Sequence, residues 1–359
     1  MLLQLSKDQV TDTTIISIEY EASDVADWEA RSLLSATRCA LVHIINNPSK
    51  LLSDIQVVDK QGAQSFLEWN NRLPATVDRT VHDMILDRTH IDPSAIAIDA
   101  WDGQLSYMEL HDASRKLAYR LSQQGVGSES RVSLYFEKSK WYTVALLAVL
   151  QAGGAFVPLD PSQPQGRLSY IVHKTASKIV ICSPSLSTAA TALSSHVIVL
   201  DEQWMTEASA TPLAWSPKVE PSNLAYIMFT SGSTGNPKGV MIEHSACCSS
   251  AVHHGRASNM SSQTRALQFA RHTFDASIAE IISTLIHGGC IVVPSEEQKL
   301  NNVTAVIQDK RVNWMFATPS VLRLLEPSDM PLVQDLVAGG EQVSQDVIHQ
   351  WSLDRNLYK

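Results

Sequence analysis

The sequence predicts an α/β fold with mostly parallel sheets flanked by helices, and three observations carry the prediction. From about residue 80, short apolar runs of strand length alternate with segments whose apolar residues recur every three or four positions. Such alternation builds parallel sheets with helices packed on their faces. Glycines punctuate the pattern, as at Gly125 and Gly153-Gly154. The composition is globular: of 359 residues, 44% are hydrophobic and 18% charged. This length accommodates two or three domains and a large core.

Taken in order, the chain opens with a block ending near residue 70. Ile15-Ile16-Ser17-Ile18 reads as a strand, and residues 24–47 read as a helix. Trp28, Leu33, Leu34, Leu41 and Ile44 are its candidate buried face. Pro74 favours extended chain before it, which predicts a linker over 71–80. Tyr107, Leu110, Ala113, Leu117 and Leu121 then mark a helix ending near Gly125. Val132, Leu134 and Phe136 alternate as a strand does, and Val144 to Leu150 form an apolar helix. Further strand-like runs lie at Ile179–Cys182, Val197–Leu200, Leu224–Phe229, Ile291–Val293, Trp314–Ala317 and Leu336–Ala338.

Charge and cysteine usage exclude several functions. The formal net charge of −9 repels phosphate backbones, so nucleic acid is not an expected partner. The five cysteines, Cys39, Cys182, Cys247, Cys248 and Cys290, are odd in number and scattered. They offer no zinc-ligand spacing and no disulfide framework, which fits a reducing compartment. No apolar run reaches the ~20 residues of a membrane helix, and the N-terminus has no basic region of a secretory signal. A soluble cytoplasmic protein is expected.

The most informative segment runs from the strand Leu224–Phe229 into Thr230-Ser231-Gly232-Ser233-Thr234-Gly235-Asn236-Pro237-Lys238-Gly239. Glycines let successive N–H groups converge on one anion. The hydroxyls of Thr230, Ser231, Ser233 and Thr234 add donors, and Lys238 adds a point charge suited to a polyphosphate. The loop is not a Walker A motif, because Pro237 stands where that motif needs glycine before its lysine.

The string Ser231 to Gly239 resembles the signature of the adenylate-forming superfamily, and neighbouring segments resemble the motifs of peptide-synthetase adenylation domains. Leu105-Ser106-Tyr107-Met108-Glu109-Leu110 is similar to the first motif, and Leu150 to Pro161 to the second. Phe274-Asp275-Ala276-Ser277 is similar to the fourth. The resemblance covers residues 81–359 and implies the large N-terminal subdomain of the adenylate-forming, acyl-CoA synthetase-like fold. The wording around His272 and Leu285 to Cys290 resembles fungal members. Residues 1–70 resemble the tail of a condensation domain without its His-His-x-x-x-Asp-Gly motif. His253-His254 does not supply one.

The resemblance implies further expectations. ATP is bound through Thr230, Ser231, Gly232, Ser233, Thr234, Gly235 and Lys238, with Mg2+ as its companion. Asp275 holds the α-ammonium of an amino acid, an acid buried beside its ligand. Read without the resemblance, Asp275 is a helix N-cap for Ala276–Ile286. Ala276, Ala279, Phe316, Leu336 and Ala338 line an apolar side-chain pocket, implying an apolar or aromatic substrate. The product is an aminoacyl-AMP for transfer to phosphopantetheine on a separate carrier domain, with condensation and carrier domains as partners. Arg271 either forms a salt bridge or disturbs the pocket, and His272 reads as a core histidine.

Relatives continue into a magnesium-binding Glu, a ribose-binding Asp and a catalytic Lys, all beyond Lys359. The fold is therefore expected to be incomplete at its C-terminus, with no catalytic residue of its own and little adenylation by the chain alone. Two other readings stand beside the synthetase one. An acyl-CoA or aryl-acid ligase shares the superfamily, and Asp275 and the Leu150-to-Pro161 wording argue against it. A non-catalytic remnant is favoured by the missing motifs.

Overall fold

The structure, a computed structural model, describes every residue except 9, 72, 209–214, 216 and 231–236. It divides into two units, Met1–Pro74 and Ala75–Lys359.

In the first unit, β1 (Leu2–Asp8) and β2 (Thr13–Glu19) form an antiparallel hairpin with Leu2 opposite Glu19. The helices Asp27–Asn46 and Lys60–Asn70 follow. Asp59 caps the second helix by accepting the Gly62 N–H, and the Ser35 hydroxyl ties that carboxylate to the first. The expected buried face of the first helix is not buried. Trp28 is 64% exposed, and Leu33 and Ile44 are exposed as well. A hairpin and two helices supply too few layers to cover both faces of a long helix.

The second unit contains two sheets. The first has β5 (Arg131–Tyr135), β6 (Ala155–Leu159), β7 (Ile179–Cys182), β8 (His196–Val199), β9 (Leu224–Thr230) and β10 (Lys238–Glu243), ordered β10-β9-β6-β5-β7-β8. The second has β3 (Ile96–Ala100), β4 (Gly103–Ser106), β11 (Arg265–Leu267), β12 (Cys290–Val293), β13 (Trp314–Ala317), β14 (Asp335–Ala338) and β15 (Asn356–Tyr358), ordered β15-β14-β13-β11-β12-β3-β4. Pairing is parallel throughout except at β9/β10 and β3/β4. This is the predicted class.

Local chemistry explains the elements that hold the sheets. Ser106 and Glu109 form a capping box that starts the helix Tyr107–Gln123, and Gly125 beyond its end takes a φ of 83°. The helix Lys140–Gln151 is buried on every side from Lys140 to Leu150, which is why its sequence is apolar all round. Tyr107 donates its hydroxyl to the carbonyls of Leu285 and Gly289, pinning its helix to the short helix Thr284–Ile286 and the turn that precedes β12. The predicted helix Ala276–Ile286 is broken into Ala276–Ile278, a π-helical turn Ala279–Ser283 and Thr284–Ile286. Among the described residues, no helix is long and apolar enough to cross a membrane. All five cysteines are free.

Candidate functional site

The glycine-rich segment joins β9 to β10. Ser231, Gly232, Ser233, Thr234 and Gly235 lie outside the described residues. Their flanks are fixed: Thr230 ends β9, Lys238 begins β10, and the two are antiparallel partners. Both side chains are exposed. Lys238 forms no ion pair among the described residues, so its charge is free for an anion. At Gly239 a Cβ would come within 3.1 Å of the Phe229 ring and 3.2 Å of Ile227, so glycine allows the hairpin to close tightly. Two strands thus hold the ends of the donor-rich loop still.

Asp275 follows β11 at the head of the helix Ala276–Ile278. It is already in the right-handed helical region (φ −61°, ψ −28°), and its side chain makes no capping bond. The N-cap reading therefore fails, because a capping residue takes extended backbone angles to aim its oxygen at the helix. The carboxylate is also exposed rather than buried. Burial, then Cys247, then the Asp275 charge push the Tyr226 phenol above its ordinary range.

The expected pocket wall is split by the sheet. Ala276 is buried behind Asp275, and Ala279 and Phe316 are half-buried together beside Trp314. The Phe316 ring lies 6.4 Å from that of Phe274, tilted by 52°. Leu336 and Ala338 do not join them. In the parallel register Phe316 pairs with Val337, and Val337 packs in the same cluster as Phe316 and Ala279. Leu336 and Ala338 point to the other face, into a core with Met315 and Ala317. Alternation along a strand permits nothing else. The residues of β14 and its exit that face Phe316 are Val337 and Gly339, whose added Cβ would meet the ring at 3.1 Å. Leu336 and Ala338 are core residues, and the sequence reading of them is corrected by one position.

The segment leading to Asp275 is anchored by side chains from several elements. Arg271 bonds Asp160 and Ser162, each at 2.8 Å, so it serves a salt bridge. Burial pushes the Asp160 carboxyl up, but hydrogen bonds from Ser162 and Arg271 outweigh it and hold the acid below its ordinary range. His272 stacks on Tyr142 with ring centroids 3.5 Å apart, and burial drives its proton affinity far down, so it is a neutral core residue. Lys138, Gln268 and Glu280 form a buried polar cluster under this segment. Burial, resisted by the neighbouring Glu280, lowers Lys138 to about 7. Burial raises Glu280 to about 7 against the pull of Lys138. The sequence reading missed this cluster. Its signal is a glutamate inside the apolar run Ile278 to Ile286. A cleft of about 320 Å³ opens beside it, lined in part by Lys138, Asp160, Arg271, His272 and Lys299.

Among the described residues no three or more His, Cys, Asp or Glu side chains converge as a metal site. The AMP-binding enzyme family matches residues 87–355. The chain is 41% identical over 343 residues to Nonribosomal peptide synthetase 1 of Aspergillus fumigatus, covering 95% of this chain and 6% of that protein. It is 40% identical over 340 residues to the nonribosomal peptide synthase roqA of Penicillium rubens, covering 94% of this chain and 14% of that one. The chain thus spans a small part of these relatives. Among solved structures, an α-methyl-L-serine-AMP-bound form of the nonribosomal peptide synthetase FmoA3 superposes with a TM-score of 0.76 at 19% identity, covering 97% of this chain and 40% of that one. The N-terminal subdomain of Klebsiella oxytoca NpsA gives 0.67 at 22% identity, covering 76% and 70%. These two establish likeness of fold.

Proposed function

The chain belongs to the AMP-binding enzyme family, and from that premise we propose that it binds ATP and an α-amino acid as the nucleotide-binding part of a peptide-synthetase adenylation unit. The observation that carries this reading is the hairpin β9–β10, which sets Lys238 opposite Thr230 at the mouth of the glycine-rich loop. Thr230 and the loop hydroxyls donate to phosphate oxygens, and Lys238 neutralises them. Asp275 takes the substrate ammonium in a charge-assisted hydrogen bond. Ala276, Ala279, Phe316 and Val337 offer the side chain an apolar wall, so the substrate class is an apolar amino acid.

In the reaction, a substrate carboxylate oxygen forms a bond to the α-phosphorus as the bond to pyrophosphate breaks. The thiol sulfur of a carrier domain's phosphopantetheine then bonds the acyl carbon as its bond to AMP breaks, AMP leaving and the thiol proton passing to solvent. Mg2+, when bound with the nucleotide, neutralises phosphate charge. The chain's own part is to position and to stabilise charge, the main source of catalysis in phosphoryl chemistry. Carrier and condensation domains are its proposed partners, and residues 1–70 are read as the C-terminal tail of a condensation-like domain.

Calorimetric titration of the chain with ATP and with a panel of amino acids tests the reading. Lys238→Ala should weaken ATP by about tenfold and spare the amino acid; Asp275→Asn should do the reverse, each losing one charge-assisted contact. A wild-type chain that binds no ATP sinks the proposal. Binding of an aryl or fatty acid lacking an amino group, unchanged in Asp275→Asn, favours the acyl-CoA or aryl-acid ligase instead.

A further inference from the structure

Between β11 and the helix Ala276–Ile278, residues 268–275 run without regular structure, and Gln268, Ala270 and His272 are buried. Buried backbone outside a ladder must find partners elsewhere. Here two ionisable side chains provide them, one from 130 residues upstream and one from the helical segment that follows. Lys138, just beyond β5, donates to the carbonyls of Gln268 and Ala270, each at 2.8 Å, and to Gln268 Oε1 at 2.5 Å. Glu280, in the π-helical turn, accepts the Ala270 N–H at 3.0 and 3.1 Å and the Gln268 side-chain amide at 3.2 Å. Lys138 is 3% exposed, Gln268 1% and Glu280 0%. The Gln268 amide stands between the other two, accepting from one and donating to the other. All three ammonium hydrogens of Lys138 are used.

Burying a lysine and a glutamate is a poor source of stability, since desolvation offsets much of their attraction. What such a cluster does achieve is a single backbone path, because any other path leaves a charge unpaired. A π-helical turn, itself uncommon, aims Glu280 inward. Downstream the path is held again: Arg271 is anchored on Asp160 and Ser162, the Phe274 N–H turns back to the Arg271 carbonyl, and Ser277 bonds the His272 carbonyl. Asp275 inherits its location from these bonds.

We propose that Lys138 and Glu280 are positioning residues, whose hold on Gln268 and Ala270 sets Asp275 at the substrate ammonium. The inference rests on the reading of Asp275 as the ammonium partner. Neither residue touches the substrate; both act through the segment they clamp.

Hydrogen exchange and calorimetry on the whole chain test it together. In Glu280→Ala and Lys138→Met, amides of residues 268–275 should exchange at least about tenfold faster while β5 and β6 stay protected, as local opening without global unfolding requires. Amino-acid affinity should fall about tenfold and ATP affinity stay within about twofold, because only the Asp275 side is displaced. Glu280→Gln keeps an acceptor for the Ala270 N–H and should recover most of the amino-acid affinity. Loosening of the segment with unchanged amino-acid affinity overturns the proposal, as does an equal loss of both ligands. Should Glu280→Ala fail to fold, Glu280→Gln decides, with a smaller loss confined to the amino acid supporting the proposal and equal weakening of both ligands refuting it. A wild-type chain that takes up no amino acid sinks the Asp275 reading itself, and exchange at 268–275 then decides the clamp alone.

Discussion

Leu336 and Val337 are neighbours in sequence and opposites in environment. Leu336 is fully buried in a core with Met315, while Val337 stands with Phe316 and Ala279 on the site face. Leu336→Ala should cost about 2–5 kcal/mol in a denaturant melt and leave amino-acid preference alone. Val337→Phe should shift which amino acids bind and cost less stability, since a half-buried side chain has room to adapt. The reverse pattern would restore Leu336 to the pocket wall. Thr230, Lys238 and Asp275 could be proposed from the sequence because each sits in a contiguous motif whose chemistry is local. Lys138 and Glu280 were not, because they are joined through Gln268 and no spacing along the chain reveals it.

Elements were legible where their periodicity was long. The helices Tyr107–Gln123 and Asp27–Asn46 fall where the sequence pattern places them, and β7, β9, β12, β13 and β14 coincide with apolar runs. Strands β1, β3, β4, β6, β10, β11 and β15 went unread. β11 has three residues, and β10 opens with Lys238-Gly239, a poor strand signal whose pairing comes from the hairpin. The facing of β14 depends on its register with β13, a tertiary fact absent from the strand's own sequence. The break in the helix after Asp275 was equally hidden. At this scale the Tyr107 hydroxyl matters most, since it bonds the carbonyls of Leu285 and Gly289, far along the chain. Tyr107→Phe should lower stability by about 1–3 kcal/mol by taking the hydroxyl donor from the Gly289 carbonyl, the Leu285 carbonyl keeping the Gly288 N–H. Thermal or urea unfolding reads this directly.

For the Ala75–Lys359 unit as a whole, buried histidines set the response to acid. Burial lowers His82 to about 4 and His244 to about 3, and holds His272 well below its usual value. His82 Nδ1 and His244 Nε2 have no hydrogen-bond partner among the described residues. A histidine whose folded pKa is depressed binds its proton first in the unfolded chain. Its contribution is full above about 6.5 and is lost as pH falls toward the folded values. For His82 alone the loss approaches roughly 3 kcal/mol. Urea melts from pH 7 down to 4 should show falling stability, and His82→Gln should flatten the slope. An unchanged slope in that variant would assign acid sensitivity elsewhere. By contrast the Arg271–Asp160 bridge has its arginine 61% exposed, so its effect is small and weakens with salt.

The hairpin that carries Lys238 has one more consequence. Its second strand, β10, is the outermost strand of its sheet, and Val240 and Met241 on it are 46% and 63% exposed. An uncovered strand edge is a template for pairing with another polypeptide. At high concentration this edge is where copies of the chain should first adhere, and light scattering should therefore grow with protein concentration.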